Sequence, residues 1–234
     1  MTKLEFENKL KEVCPWVNSN TFALFDLYKV LLQEYNKKFN LTRLDSDDLI
    51  YEQYFLASLM PFIYLDEFNQ NSNYSLLDIG SGSGIPGVIL KIVYPNLKVT
   101  LLDSSKKKCL FLEILIKKLN LDLINVVCER AEDFAYQNVE SFDFITSRAV
   151  AKLSIILELS VLCAKINGKI ITSKSLNYYE ELAEAREYID LFNLSIYKEK
   201  DYNFDSHKYI VTSFIKNKKT PPNFPRTWSK IKKM

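Results

Sequence analysis

The chain has 234 residues, 47% of them apolar and 26% charged, with a formal net charge of only +2. These values suit one sizeable buried core and exclude a charged, hydrophobe-poor disordered chain, while the near-balanced charge is neutral on a nucleic-acid partner. The cysteines, Cys14, Cys109, Cys128 and Cys163, show no CxxC spacing, which argues against a zinc site or a disulfide framework and suits a reducing cytosol.

Along the chain, Lys3, Glu5, Glu7 and Lys9 interleave with apolar residues, which is no signal-peptide pattern, and no apolar run reaches the ~18 residues a membrane span needs. A cytoplasmic protein without membrane attachment is expected. The first 70 residues read as helix: Leu24, Leu27, Tyr28, Leu31, Leu32 and Tyr35 recur at the spacing of one helical face. Ser46, ahead of Asp47 and Asp48, is a candidate N-cap for a second helix. The polar stretch Asn69 to Ser75 makes a boundary. Beyond it, strands are predicted at Leu76–Ile79, Lys98–Asp103, Leu123–Cys128, Phe142–Thr146, Lys169–Ser173, Leu194–Glu199 and Tyr209–Ile215. Helical stretches such as Pro86–Val93 and Cys109–Leu119 separate the first six, which implies βαβ units and a mainly parallel sheet. No helix separates the last two, so they should pair antiparallel at one edge. The expected organisation is a helical extension over 1–70, an α/β core over 71–216 and a basic, irregular tail over 217–234. Residues 216–234 carry seven Lys or Arg and no acid.

Four of the chain's five glycines fall within Gly80-Ser81-Gly82-Ser83-Gly84-Ile85-Pro86-Gly87, directly after the strand Leu76-Leu77-Asp78-Ile79. A buried strand running through such a turn into a helix lets backbone approach a ligand closely and presents free N–H groups to it. Dinucleotide sites use GxGxxG to fit a pyrophosphate. Here the spacing is GxGxG and Asp78 precedes it, which resembles the first motif of class I methyltransferases. The next strand ends at Asp103, placed to accept hydrogen bonds from ribose hydroxyls. A purely structural glycine turn does not explain that second acid.

The acceptor is approached by what is missing. The segment Thr146 to Ala151 lacks the Asn/Asp-Pro-Pro-aromatic signature that handles exocyclic amines. No cysteine closely follows the fourth strand to attack as a nucleophile, and Cys128 has no flanking base or cation beyond Arg130. The single histidine, His207, lies far from the glycine loop in sequence, and a lone histidine is more often structural. An acceptor nucleophilic as it stands, such as guanine N7, needs no dyad, but absences alone leave the acceptor open.

Several segments together resemble the glucose-inhibited division protein B family, the 7-methylguanosine methyltransferases of bacterial 16S ribosomal RNA. Asn40-Leu41-Thr42 resembles its NLT, and Asp78 to Gly87 its DIGSGxGFPG loop. Asp103-Ser104 with Lys107-Lys108 and Phe111-Leu112 is similar to DSxxKRxxFL, Arg130-Ala131-Glu132 to RAE, and Ser147-Arg148-Ala149-Val150-Ala151 to SRAVA. Thr220-Pro221 to Pro225-Arg226 resembles TPxxYPR.

The resemblance implies a Rossmann-like class I methyltransferase with a seven-stranded, mainly parallel sheet and an antiparallel edge. It also implies S-adenosylmethionine, without a metal, bound by Gly80, Ile85, Ala131, Glu132 and Arg148. With the physical reading of the loop, Gly80, Gly82 and their neighbours would hold the methionine part, Asp103 the ribose, and Ala131 with Glu132 the adenine. No residue is assigned a catalytic proton transfer. Lys107, Lys108, Lys174 and Arg226 are expected on phosphates of 16S ribosomal RNA, free or within the small subunit, and the protein is expected to be a monomer. Tyr54 and Ala57 stand where the family has His and Asp, and Ser175 where glycine is common. A non-catalytic RNA-binding module and a nicotinamide-dependent oxidoreductase are the competing readings, disfavoured by the intact loop with Asp103 and by the GxGxG spacing.

Overall fold

In a computed structural model the protein is described over residues 1–42, 46–66, 68–174, 177–204 and 207–233, without the side chains of residues 204, 207 and 208. His207's side chain and the whole of Ser175 therefore lie outside the described residues.

Seven strands form one sheet: β1 (Ser75–Ile79), β2 (Lys98–Asp103), β3 (Ile124–Cys128), β4 (Phe142–Ser147), β5 (Ala164–Lys174), β6 (Leu194–Phe204) and β7 (His207–Lys216). Their order is β3-β2-β1-β4-β5-β7-β6. β1 to β5 pair in parallel, and β7 runs against both β5 and β6, so the reversed strand lies one place in from the edge. The chain reverses its winding direction between β1 and β4, and the crevice at the carboxyl ends of those strands is where open α/β sheets bind ligands.

One face is covered by α1 (Lys3–Val13), α2 (Ser19–Phe39), α3 (Asp47–Leu49), a π-helical segment (Ile50–Leu56), α4 (Ala57–Leu65), α5 (Gly87–Val93) and α6 (Lys106–Lys118). The other carries α7 (Ala131–Gln137), α8 (Leu153–Val161), α9 (Tyr178–Glu184), α10 (Arg186–Leu191) and α11 (Trp228–Ile231). The N-terminal helices share a core with the sheet: Phe6, Phe25, Tyr28 and Phe55 join Val88, Leu101 and Leu112 in one buried cluster. Each such aromatic contributes about 1.5–3 kcal/mol of burial. Along α2 the inward face is Phe22, Phe25, Tyr28, Leu31 and Leu32, whereas Leu27, expected on that face, is exposed. Among the described residues no helix is long and apolar enough to cross a membrane.

The C-terminal tail, expected to be irregular, is anchored and ends in α11. Thr220 Oγ1 donates to Val161 O, Tyr136 Oη donates to Pro225 O at 2.7 Å, and Ile231 is fully buried. The main anchor is Arg226, whose guanidinium meets the fully buried carboxylate of Glu158 at 2.9 and 2.6 Å, while its backbone N–H donates to the same group. An acid inside the apolar helix α8 demands such a partner, because an unpaired buried carboxylate is strongly unfavourable. Arg226→Ala strands that charge and should destabilise the fold by about 3 kcal/mol, read from the denaturant midpoint. An unshifted midpoint would show that the pair does not hold the tail.

Candidate functional site

The loop after β1 is tied to β2 by its backbone: Gly80 N and Ser81 N both donate to Leu102 O, at 2.7 and 3.1 Å. Gly80 has φ of +70°, and a Cβ there would lie 2.4 Å from Val150. Gly84 has φ of +104° and faces the Tyr28 hydroxyl, which a Cβ would approach to 2.6 Å. Both positions demand glycine on conformation and on space. Tyr28 Oη donates to Ser83 O at 2.6 Å, and Tyr54 Oη donates to Ser83 Oγ, so the N-terminal helices clasp the far side of the loop.

Asp78 is buried beneath it. One of its oxygens accepts from Gly87 N at 2.9 Å, and the other has no partner. Asp103, at the end of β2, accepts from Gly82 N and from Ser105 N at 2.9 Å each. A carboxylate has about four lone-pair sites, so Asp103 keeps acceptor capacity for a further donor.

These elements border a cavity of about 510 Å³, lined among others by Gly80, Gly82, Ile85, Asp103, Lys108, Ala131, Glu132 and Arg148. Every residue predicted for a small-molecule site, Gly80, Gly82, Ile85, Asp103, Ala131, Glu132 and Arg148, thus borders one space. Glu132 is buried in the first turn of α7, where the helix dipole favours an acid, and it pairs with Arg130 at 3.1 Å. Sequence reasoning missed Trp228. The tail brings its indole to the cavity wall, with the Arg130 guanidinium 4.6 Å from the ring centre. Tyr54, singled out in the sequence as a departure from the family in a helix implied to border the acceptor site, lies on the wall of this cavity.

Arg148 closes the opposite end. Its Nη2 donates to Gln53 O at 2.8 Å and its Nη1 to Tyr54 O and Ser58 Oγ, all on the π-helical segment and the start of α4. Among the described residues no carboxylate pairs with it, and burial holds its pKa below the usual guanidinium value. Beyond it lies a second cavity of about 300 Å³ that shares Arg148 and Ala149 with the first.

The expected phosphate contacts separate. Lys107 is exposed on α6. Lys108 turns inward, its ammonium 3.7 Å from Asp103. Lys174 donates to Ala151 O at 2.8 Å and pairs with Glu181 at 2.9 Å. Arg226 is spent on Glu158. Internal acceptors thus hold Lys174 and Arg226 where outward-facing cations were expected. Lys216 of the basic tail is likewise buried, on Glu140 and Ala164 O. Lys218, Lys219, Lys230, Lys232 and Lys233 remain exposed.

Burial pushes the Asp78 carboxyl from an ordinary value of 3.8 up to about 8. The folded state therefore holds a proton that the unfolded chain releases near pH 4. The stability this contributes is complete below pH 4 and is lost as pH rises through about 8. Asp78→Asn, which keeps the acceptor for Gly87 N, should flatten the fall in unfolding free energy between those limits; equal slopes in the two proteins would contradict the assignment.

The family model of rRNA small subunit methyltransferase G matches residues 21–204. The chain is 47% identical to the ribosomal RNA small subunit methyltransferase G of Ureaplasma parvum serovar 3, covering 100% of this chain and 99% of that one. It is 42% identical to the protein of the same name from Malacoplasma penetrans, over 95% and 94% of the two chains. The crystal structure of M. jannaschii TYW2 in complex with AdoMet matches with a TM-score of 0.53 at 15% identity, over 62% of this chain and 70% of that one, a likeness of fold alone. With the relatives matched over nearly their whole length and the family model matched from α2 through β6, the chain belongs to the GidB family of rRNA small subunit methyltransferases.

Proposed function

We propose that the protein transfers a methyl group from S-adenosylmethionine to N7 of a guanosine in 16S ribosomal RNA. The observation that carries this reading is the convergence of the glycine loop, Asp103, the Ala131–Glu132 pair and Arg148 on one cavity, in a chain of this family. Its volume falls in the usual range for ligand sites. The residues fit the cofactor. The N–H groups of Gly80 and Gly82 are spent on Leu102 O and Asp103 rather than free for a ligand, so the loop suits the methionine part by the close approach its bare backbone allows. Asp103 retains lone pairs for ribose hydroxyls, and Glu132 can accept from an adenine amine, with Ile85 and Trp228 as apolar walls.

S-adenosylmethionine supplies a methyl group on a sulfonium, and its transfer to N7 moves one positive charge from sulfur to the base without releasing a proton. No general base is therefore required of the chain, and its residues work by positioning and by excluding water. Guanine must leave its neighbours to enter the cleft, as bases do when enzymes act on them. In this division of labour residues 1–70 brace the loop, 71–216 hold cofactor and base, and 217–234 carry exposed lysines. Lys107 with Lys218, Lys219, Lys230, Lys232 and Lys233 contact phosphates, and Lys108 serves the cofactor side through Asp103. The protein acts as a monomer in the cytoplasm, on RNA presented within the small subunit.

Small subunits from cells lacking the protein, incubated with it and labelled S-adenosylmethionine, should yield label as 7-methylguanosine in the 16S RNA. Label in another nucleoside would overturn the acceptor, and no label would overturn the reading as a whole. Asp103→Ala should weaken S-adenosylhomocysteine binding by about 2 kcal/mol, some 30-fold, in a calorimetric titration, with subunit binding unchanged. An unaltered affinity would remove Asp103 from the ribose. In a Trp16→Phe background, the same titration should change the emission of Trp228; constant emission would take the indole off the adenine wall.

A further inference from the structure

Two of the cysteines meet beside the first cavity, whose lining includes their neighbours Lys108 and Glu129. Cys109 lies in the first turn of α6, among the residues that helix buries with Phe111, Leu112 and Leu115. Its thiol donates to Asp103 O at 3.2 Å. Cys128 ends β3 and pairs in register with the same Asp103. Side chains alternate along a strand, so Cys128 shares the face of Ile124 and Val126, which pack into the cluster holding Phe111 and Leu112, whereas Val127 packs into the other cluster. Both sulfurs therefore converge on the carboxyl end of β2, under the start of α6. Cys128 is exposed and Cys109 is buried. Burial, and then the hydrogen bond and negative charge of the neighbouring Cys128, push the Cys109 thiol up to about 12. Cys14 and Cys163 are buried elsewhere, at the end of α1 and directly before β5.

We propose that Cys109 and Cys128 are a site of reversible oxidation, closing to a disulfide under a hydroperoxide, and that closure weakens cofactor binding; the second half rests on the methyl-transfer reading above. The exposed Cys128 thiolate attacks the terminal peroxide oxygen and the O–O bond breaks. The alkoxide leaves with a proton as alcohol, and Cys128 becomes a sulfenic acid. The Cys109 sulfur then attacks the Cys128 sulfur, the S–O bond breaks, and the departing hydroxide takes the Cys109 proton as water. Two thiols and one hydroperoxide thus give one disulfide, one alcohol and one water, with two electrons passing from sulfur to oxygen. Burial keeps Cys109 protonated and away from the oxidant, which fixes the order of the two steps. The effect on the site follows from the neighbours. Closure removes the thiol donor from Asp103 O. Lys108, next to Cys109, has its ammonium 3.7 Å from the Asp103 carboxylate, and Glu129, next to Cys128, lines the cavity with Ala131 and Glu132. The S–S bridge, rather than the cofactor, then sets the separation of the Asp103 and Glu132 sides.

The intact protein treated with hydrogen peroxide should yield a tryptic fragment joining Cys109 to Cys128, which dithiothreitol separates. In the same samples S-adenosylhomocysteine affinity should fall about fivefold on oxidation, on the scale of one hydrogen bond, and return on reduction. Cys128→Ser, an exchange at an exposed position that leaves the core untouched, should bind S-adenosylhomocysteine as the reduced parent does and should not respond to peroxide. Cys128 carried on to a sulfinic acid with Cys109 still a free thiol would overturn the pair, as would a crosslink through Cys14 or Cys163. A Cys109–Cys128 crosslink with unchanged affinity would overturn its link to the site. A reduced parent protein that fails to bind S-adenosylhomocysteine would instead count against the methyl-transfer reading, while the crosslink would still stand or fall by its fragment.

Discussion

Arg148 leaves the end of β4 with its guanidinium buried and held by neutral oxygens, the carbonyls of Gln53 and Tyr54 and the hydroxyl of Ser58. A buried cation without a carboxylate is unfavourable unless oriented dipoles replace its water. The π-helical segment Ile50–Leu56 and the first turn of α4 supply those dipoles. Such segments are uncommon and concentrate at functional sites. The consequence is mechanical as much as electrostatic. The segment after β4, which borders both cavities, and the N-terminal helices cannot be positioned independently of one another.

The same helices reach the glycine loop from behind, through Tyr28 and Tyr54 on Ser83, while β2 holds it from the side through Leu102 and Asp103. A loop with positive φ at Gly80, Gly82 and Gly84 loses much backbone entropy on folding, and these contacts oppose that loss. A backbone so fixed meets a ligand pre-organised, which lowers the entropic penalty of binding. The tail completes the enclosure by a different device. The ion pair of Arg226 with buried Glu158, together with the Tyr136–Pro225 hydrogen bond and buried Ile231, brings Trp228 to the far wall.

The alternation of short β-rich runs with helical ones made the sheet and its helices readable in the sequence, because each strand is bounded by its own turn chemistry. The glycine loop with Asp78, and Asp103 one strand later, pointed to the first cavity for the same reason: both signals are local. What the sequence hid depends on distant partners. Arg226 and Lys174 read as phosphate contacts, yet each meets an acceptor supplied by another part of the chain. The one legible clue was Glu158, an acid inside the apolar run Leu153–Val161, which had to find a cation somewhere. On α2, Leu24 and Leu27 shared a helical spacing with Tyr28, but the buried stripe runs through Phe25, chosen by packing against Phe6 and Phe55. Nothing local announces the π-helical segment or the second cavity.

The central claim is that the N-terminal helices are part of the ligand site, tied to the glycine loop through Tyr28 and Tyr54 and to the segment after β4 through Arg148. Amide hydrogen exchange with and without S-adenosylhomocysteine tests it directly. The account predicts added protection at Gly80–Ser83 and, in the same titration, across Ile50–Ser58. Protection confined to the loop and β2, with the 50–58 segment exchanging as in the free protein, would contradict it.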